Sequence, residues 1–352
     1  MIVYWFWAFL AMFFSKIKLN RRQGITFLGI LLVVILSLRS MDLGFTDTRY
    51  VYYEAFKRLG MADSIFDAVK DVHFRAEPLM AMYIYSLSHL VPNFQLFMAV
   101  TALLSLWPLI RLARKEKFAY FTLVFFFSMY FFFYFYLLKQ MLAIAVTVLA
   151  FECIMNDKPV KYFLLCFVAS MIHKFSWPCF IAYPLCKFVR FTKKTYAIIA
   201  GIIFFGIAFS DMVLELIVKI DPTGWMISYI NIYRKDARFN FGMILNIAIL
   251  IFAAVMRKKI TEDKDAYNKL LILSSLNCIL NTYSLIVVEF QRLAFFFGIY
   301  NAILLPIALD ALPIKAYYKK LIIDVVMVLL LAYGVLRTAA NTQCIPYIFF
   351  WE

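Results

Sequence analysis

Charge is scarce in this sequence: Asp, Glu, Lys and Arg make up 16% of its 352 residues, and only three residues are histidine. Soluble domains carry about 25% charged residues, and no soluble core buries the apolar surface that 65% hydrophobic residues bring. An ordinary water-soluble protein is therefore excluded. Phosphate-cradling Walker loops, GxGxxG, HExxH and serine nucleophile elbows are absent too, so the sequence offers no nucleotide or metal site and calls for no cofactor. The six cysteines (Cys153, Cys166, Cys179, Cys186, Cys278, Cys344) form no CxxC pair and no Cys/His metal spacing. They read as packing residues. No repeat of fixed period, low-complexity linker or composition break divides the chain, which reads as one polytopic membrane domain over 1–352.

What the chain has is apolar runs separated by short cationic clusters. Its net charge of +15 would suggest nucleic acid in a soluble protein, but basic clusters between apolar runs are the mark of positive-inside topology. A crossing helix needs about 20 residues at 1.5 Å each to span about 30 Å of hydrocarbon. Thirteen apolar segments can be drawn, several of them short. The first, 1–15, has its cations after it instead of before it, the reverse of a cleavable signal, and is expected to be a retained helix with its N-terminus outside.

Placing the turns at 16–22, 111–117, 158–161, 187–194, 257–269 and 315–320 in the cytoplasm collects 22 of the 36 Lys and Arg. This frame requires one segment not to cross. Leu79–Val91, with 13 residues before Pro92, is the one too short, and is expected to be re-entrant or oblique. The predicted fold class is an all-α polytopic transmembrane helix bundle with about 12 crossings. Two outer-face loops remain, 39–78 and 213–240. In the first, YVYYEAFKRL has helical apolar spacing at Val51, Tyr52, Ala55, Phe56 and Leu59, which predicts an interfacial helix.

Ionisable groups at membrane depth are unfavourable by about 2.5–3.5 kcal/mol each on insertion scales, so those kept at outer helix ends are the functional candidates. Arg39 ends the second helix. Lys139 and Gln140 break one apolar stretch, His173 and Lys174 another, and Glu289 with Arg292 a third. The outer loop adds Asp42, Asp47, Arg49 and Glu77, with His73 less apt. Each has a plainer reading: Arg39, Lys139 and Arg292 as snorkelling side chains, His89 as packing, the run Phe125–Phe135 as lipid-facing or bundle-packing aromatic mass, Asp47 and Glu77 as helix caps ahead of the following turn. An enzyme made of these parts takes an already activated substrate from the membrane.

In order along the chain stand Leu38-Arg39, Gly44-Phe45-Thr46-Asp47-Thr48 followed by Tyr50 to Tyr53, Glu77-Pro78, Lys139-Gln140 in LKQMLAIAV, His173-Lys174-Phe175-Ser176, and Arg292 in QRLAFFF. This ordered set resembles the EpsG-like branch of the Wzy-type polysaccharide polymerases, whose pattern runs R…GTDT…Y, EP, RQx(L/I)A, HKSA and a late R(I/L)Ax(Y/F)F. Two positions depart from it: Lys139 stands where the family has Arg and so loses the bidentate fork for phosphate, and Phe175 intervenes before Ser176.

The resemblance implies a GT-C-like fold in the bacterial plasma (inner) membrane. It implies joining of O-antigen, capsule or exopolysaccharide repeat units carried on undecaprenyl pyrophosphate, at the outer face. Its partners are that lipid-linked oligosaccharide and membrane lipid, with a chain-length regulator and a flippase beside it, and no nucleic acid. Catalytic work would fall to His173, Asp47 or Glu77. Pyrophosphate or glycan binding would fall to Arg39, Arg49, Lys139, Gln140, Lys174 and Arg292. Two competing classes are a lipid-linked oligosaccharide flippase, which needs both membrane faces and often shows internal repeats, and a membrane glycan acyltransferase, which would also place a histidine at membrane depth.

Overall fold

The computed structural model describes residues 1–17, 20–45, 47–209 and 241–352, with 212, 215, 216 and 219 between the last two ranges. Every regular element among the described residues is helical; the one β-like feature is an isolated antiparallel bridge between Arg39 and Phe349. The chain divides into two compact units, one of residues Met1–Phe180 with Ile314–Glu352, the other of Ile181–Pro313.

The first unit contains α1 (Ile2–Lys16), α2 (Arg21–Ser37), α3 (Glu54–Gly60), α4 (Ile65–Val69), α5 (Pro78–Leu90), α6 (Phe94–Lys115), α7 (Ala119–Met129), α8 (Leu138–Met155) and α9 (Pro159–Ile172), and is completed by the C-terminal helix Ala316–Tyr333. The helix ends follow local chemistry. Asn93 caps α6 by accepting from the backbone N–H groups of Gln95 and Leu96, and Arg114 and Lys115 fill its last turn, opposite the dipole's negative end. Proline opens α5 and α9, where a missing N–H is harmless.

The second unit holds α10 (Ala182–Phe188), α11 (Lys193–Ala208), α12 (Phe241–Met256), α13 (Lys264–Tyr283), α14 (Glu289–Gly298) and α15 (Asn301–Asp310). A buried amide pair, Asn301 Nδ2 to Asn246 Oδ1 at 2.9 Å, ties α15 to α12.

The all-helical expectation is met, but the count of about 12 crossings is not supported. Among the described residues four helices are long and apolar enough to cross: Phe94–Lys115, Leu138–Met155, Phe241–Lys259 and Ala316–Asn341. The pair Glu289–Gly298 and Asn301–Asp310, bent by 52°, makes a fifth if it is one broken span. The apolar segments are where the sequence puts them, yet α1, α2, α5, α9 and α11 have only 13 to 17 residues. At 1.5 Å per residue these fall short of about 30 Å. The continuous apolar run 118–138 is also broken: α7 stops at Met129 and a 3-10 turn runs over Phe131–Phe135. α13 is long, but buried Asn268, Asn277 and Asn281 lower its apolarity.

The Leu79–Val91 segment appears as the 13-residue α5. In the loop 39–78 the predicted helix forms as a π-turn over Thr48–Tyr53 leading into α3. Its apolar face is not spread on a membrane surface. Tyr52, Ala55, Phe56 and Leu59 are buried in one cluster with Phe74, Met80, Ile84 and Phe97, while Val51 is exposed. The second loop, 213–240, lies almost wholly outside the described residues. The phenylalanine run is bundle packing: Phe125, Phe127, Phe131, Phe132 and Phe135 are fully buried. All six cysteines are buried and free, as packing residues would be.

Gly44 is needed by its backbone. Its φ is +79°, and a Cβ there would stand 2.6 Å from the Cβ of Phe135. Gly44→Ala is therefore expected to lower stability by about 1–3 kcal/mol, read as a lower thermal midpoint in detergent. An unchanged midpoint would show that the 40–45 turn relaxes freely.

Candidate functional site

Three interruptions of the helical chain meet in the first unit. Glu77 precedes Pro78 at the N-terminus of α5, Lys139 is the second residue of α8, and His173 ends α9 in extended conformation (φ −150°, ψ 117°) before the 3-10 turn that Lys174 begins. Each lies at a helix end, where free backbone groups and other helix-end side chains can partner an ionisable group inside the bundle.

The Glu77 carboxylate is the centre. Its Oε1 accepts from His173 Nδ1 at 2.7 Å and from the Lys174 backbone N–H at 3.2 Å, and its Oε2 accepts from Lys139 Nζ at 2.6 Å. The side chains of Glu77 and His173 are 3% and 6% exposed, that of Lys139 25%. Burial works against the ionised carboxyl, but the His173 hydrogen bond and the Lys139 charge outweigh it and hold Glu77 down at about 2. An ionised carboxylate only accepts, so His173 must donate from Nδ1. In the neutral imidazole this leaves Nε2 as the acceptor, the form a general base requires. The helix cap that the sequence allowed for Glu77 is not made: its side chain makes no cap hydrogen bond.

Tyr52 Oη accepts the Lys139 backbone N–H at 3.3 Å, and Lys139 Nζ lies 5.8 Å from the Phe74 ring centroid. Sequence reasoning gave neither Tyr52 nor Phe74 a place here; Tyr52 lies in the Tyr50–Tyr53 run, the one signal that could have pointed to it.

The remaining candidates are placed differently. Arg39 is 1% exposed, and its guanidinium donates to the carbonyls of Leu36 and Phe135 and lies against the Phe135 ring. Thr48 Oγ1 donates to the same Phe135 carbonyl at 2.7 Å. Both side chains thus fix the break between α7 and α8, four residues before Lys139. Gln140 is buried beside Lys139 in sequence. Asp47 is half-buried at the start of the π-turn, and Arg49 pairs at 2.7 Å with Asp42 on the surface. Arg292 stands half-buried on α14 of the second unit, one turn after buried Glu289. His73 and His89 are exposed. No metal-ligand cluster occurs among the described residues.

A carboxylate that fixes the tautomer of a buried histidine and neutralises a lysine only a quarter exposed can do two things. It can orient a proton acceptor, and it can hold a cation ready to turn toward an arriving anion. The family model described as the EpsG family matches residues 22–349, a range that includes all of these residues. No curated protein and no solved structure matches the chain.

Proposed function

From the premise that this chain belongs to the EpsG family, we propose that it is a glycosyltransferase of the polysaccharide-polymerase kind. It joins lipid-linked oligosaccharide repeat units of an O-antigen, capsule or exopolysaccharide at the outer face of the bacterial plasma membrane. The observation that supports this most is the Glu77–His173–Lys139 cluster, a proton acceptor and a cation held on one carboxylate at the ends of apolar helices.

In the proposed reaction the donor is the chain on undecaprenyl pyrophosphate and the acceptor is a hydroxyl of the next lipid-linked unit. The hydroxyl gives its proton to His173 Nε2 as its oxygen bonds the anomeric carbon. The bond from that carbon to the pyrophosphate oxygen breaks, and its electron pair leaves with the pyrophosphate. Direct attack inverts the anomeric carbon. Lys139 and Lys174 meet the charge that develops on the leaving group. Glu77 is a positioning residue in this reading, as are Arg39 and Thr48, which set where α8 begins. Gln140, Asp47, Arg49 and Arg292 remain candidates for glycan contacts through the family pattern.

Two experiments test the proposal. Deleting the gene in its host should collapse the surface-glycan ladder to a single repeat unit. Total loss of surface glycan with lipid-linked units retained inside would instead indicate a flippase. Purified protein should elongate lipid-linked units without nucleotide and in the presence of chelator, and strict dependence on either ATP or a divalent metal would contradict the mechanism.

A further inference from the structure

Beside the polar cluster the first unit carries a cavity of about 760 Å³, within the roughly 300–1,000 Å³ range of ligand pockets. Its lining side chains are apolar or aromatic, with the Tyr83 hydroxyl tied to Thr101 at 2.7 Å and the Trp107 indole N–H as their polar groups. Three of the lining residues fix where the cavity begins. Leu79 follows Glu77 by two positions, Ile172 immediately precedes His173, and Leu142 lies one helical turn beyond Lys139. From Leu142 the wall continues along one face of α8 through Ala145 and Val146 to Leu149. Leu149 lies about 15 Å along the helix from Lys139. The facing wall on α6 presents Leu103, Leu104 and Trp107, each 45–48% exposed.

At the mouth of this groove the Lys139 ammonium, paired with Glu77, stays a quarter exposed, where it can turn toward an arriving anion. The groove behind it has no charged group in its lining. An anion joined to a long hydrocarbon chain matches both ends. A free sugar or a free phosphate matches only the first. We propose that this groove, between α5, α6 and α8, is the seat of the polyprenyl chain of a lipid diphosphate whose phosphates lie at Lys139. The inference rests on the proposed function for its choice of lipid. It adds the path of that lipid's chain through this protein.

The test is photolabelling of the full-length wild-type protein in phosphatidylglycerol vesicles, with a polyprenyl diphosphate carrying a diazirine on its third isoprene unit. Label is expected on α8 between Leu142 and Leu149 or on α6 at Leu103–Trp107. It should be displaced by excess unlabelled polyprenyl diphosphate and not by added phosphatidylglycerol. Val146→Trp and Leu104→Trp, which fill the groove from opposite walls, should each reduce that label at least about fivefold by removing apolar area from the site. Equal displacement by phosphatidylglycerol would make the groove an ordinary lipid-facing furrow and overturn the proposal. Undiminished label in both variants would overturn it as well. The two readings fail separately: specific label in the groove of a protein that elongates nothing removes the polymerase and keeps the site, while elongation with label elsewhere removes the site alone.

Discussion

Glu77→Ala is expected to be the most damaging single substitution in the chain. It leaves a buried histidine and a three-quarters-buried ammonium without the carboxylate that both contact. Breaking a buried pair by removing one partner is destabilising by about 3–5 kcal/mol. Folded yield in detergent should fall sharply and activity with it. Glu77→Gln keeps an oxygen for His173 Nδ1 but removes the charge opposite Lys139, so it should fold better than the alanine variant. Adding Lys139→Met to Glu77→Gln should restore stability, since no ammonium is then left unpaired. A double variant less stable than both singles would show that the three side chains are not coupled in this way.

The pH dependence of this cluster has a definite sign. A carboxyl held at about 2 in the folded protein and near 4.5 when unfolded contributes stability that is fully present above about 4.5, and that is lost as pH falls from there toward 2. Between pH 7 and 5 the Glu77 contribution is therefore constant. Activity that falls across this interval while the thermal midpoint holds belongs to another group.

The second large effect is at His173 itself. A base cannot be replaced by a permanent cation, so His173→Arg should be as inactive as His173→Ala, with losses of about 10²–10⁴-fold typical of a missing general base. Lys139 should behave in the opposite manner. Lys139→Arg keeps the charge beside Glu77 and restores the residue the family pattern carries, so it should be tolerated. Lys139→Met should lose about ten- to a hundredfold in turnover, the worth of a charge-assisted contact made in the transition state. Elongation of lipid-linked units by purified variants, each checked for folded yield, measures both. Near wild-type polymerisation by His173→Arg would rule out the base and move the assignment to Asp47, since Glu77 is engaged by three donors. A fully active Lys139→Met beside an inactive Lys139→Arg would mean that packing at the start of α8 matters and anion binding there does not.

The sequence was most legible where a property is local. Too few charges, apolar runs and cationic clusters are sums over neighbouring residues, and they sufficed for a helical membrane protein with polar breaks at Glu77, Lys139 and His173. Crossing number is not such a sum. An apolar run such as 118–138 stays apolar whether or not its helix is continuous, and its continuity depends on how the phenylalanines of 125–135 pack. The helical spacing of Tyr52, Ala55, Phe56 and Leu59 was likewise correct, but spacing cannot say whether the face meets lipid or protein; here it meets α5 and α6.

By itself, then, the sequence determined the solvent of this protein and the positions where its helices had to stop, because the free energy of placing charge in hydrocarbon belongs to each residue where it stands. Only the tertiary structure decided which of those charges are partners. Glu77, Lys139 and His173 are 62 and 96 positions apart from the glutamate's place in the chain, and a hydrogen bond acts over about 3 Å, a distance that folding alone can set. The same packing buried Arg39 against the Phe135 carbonyl, so that a cation equivalent to Lys139 in the sequence became a brace for the helix on which Lys139 sits.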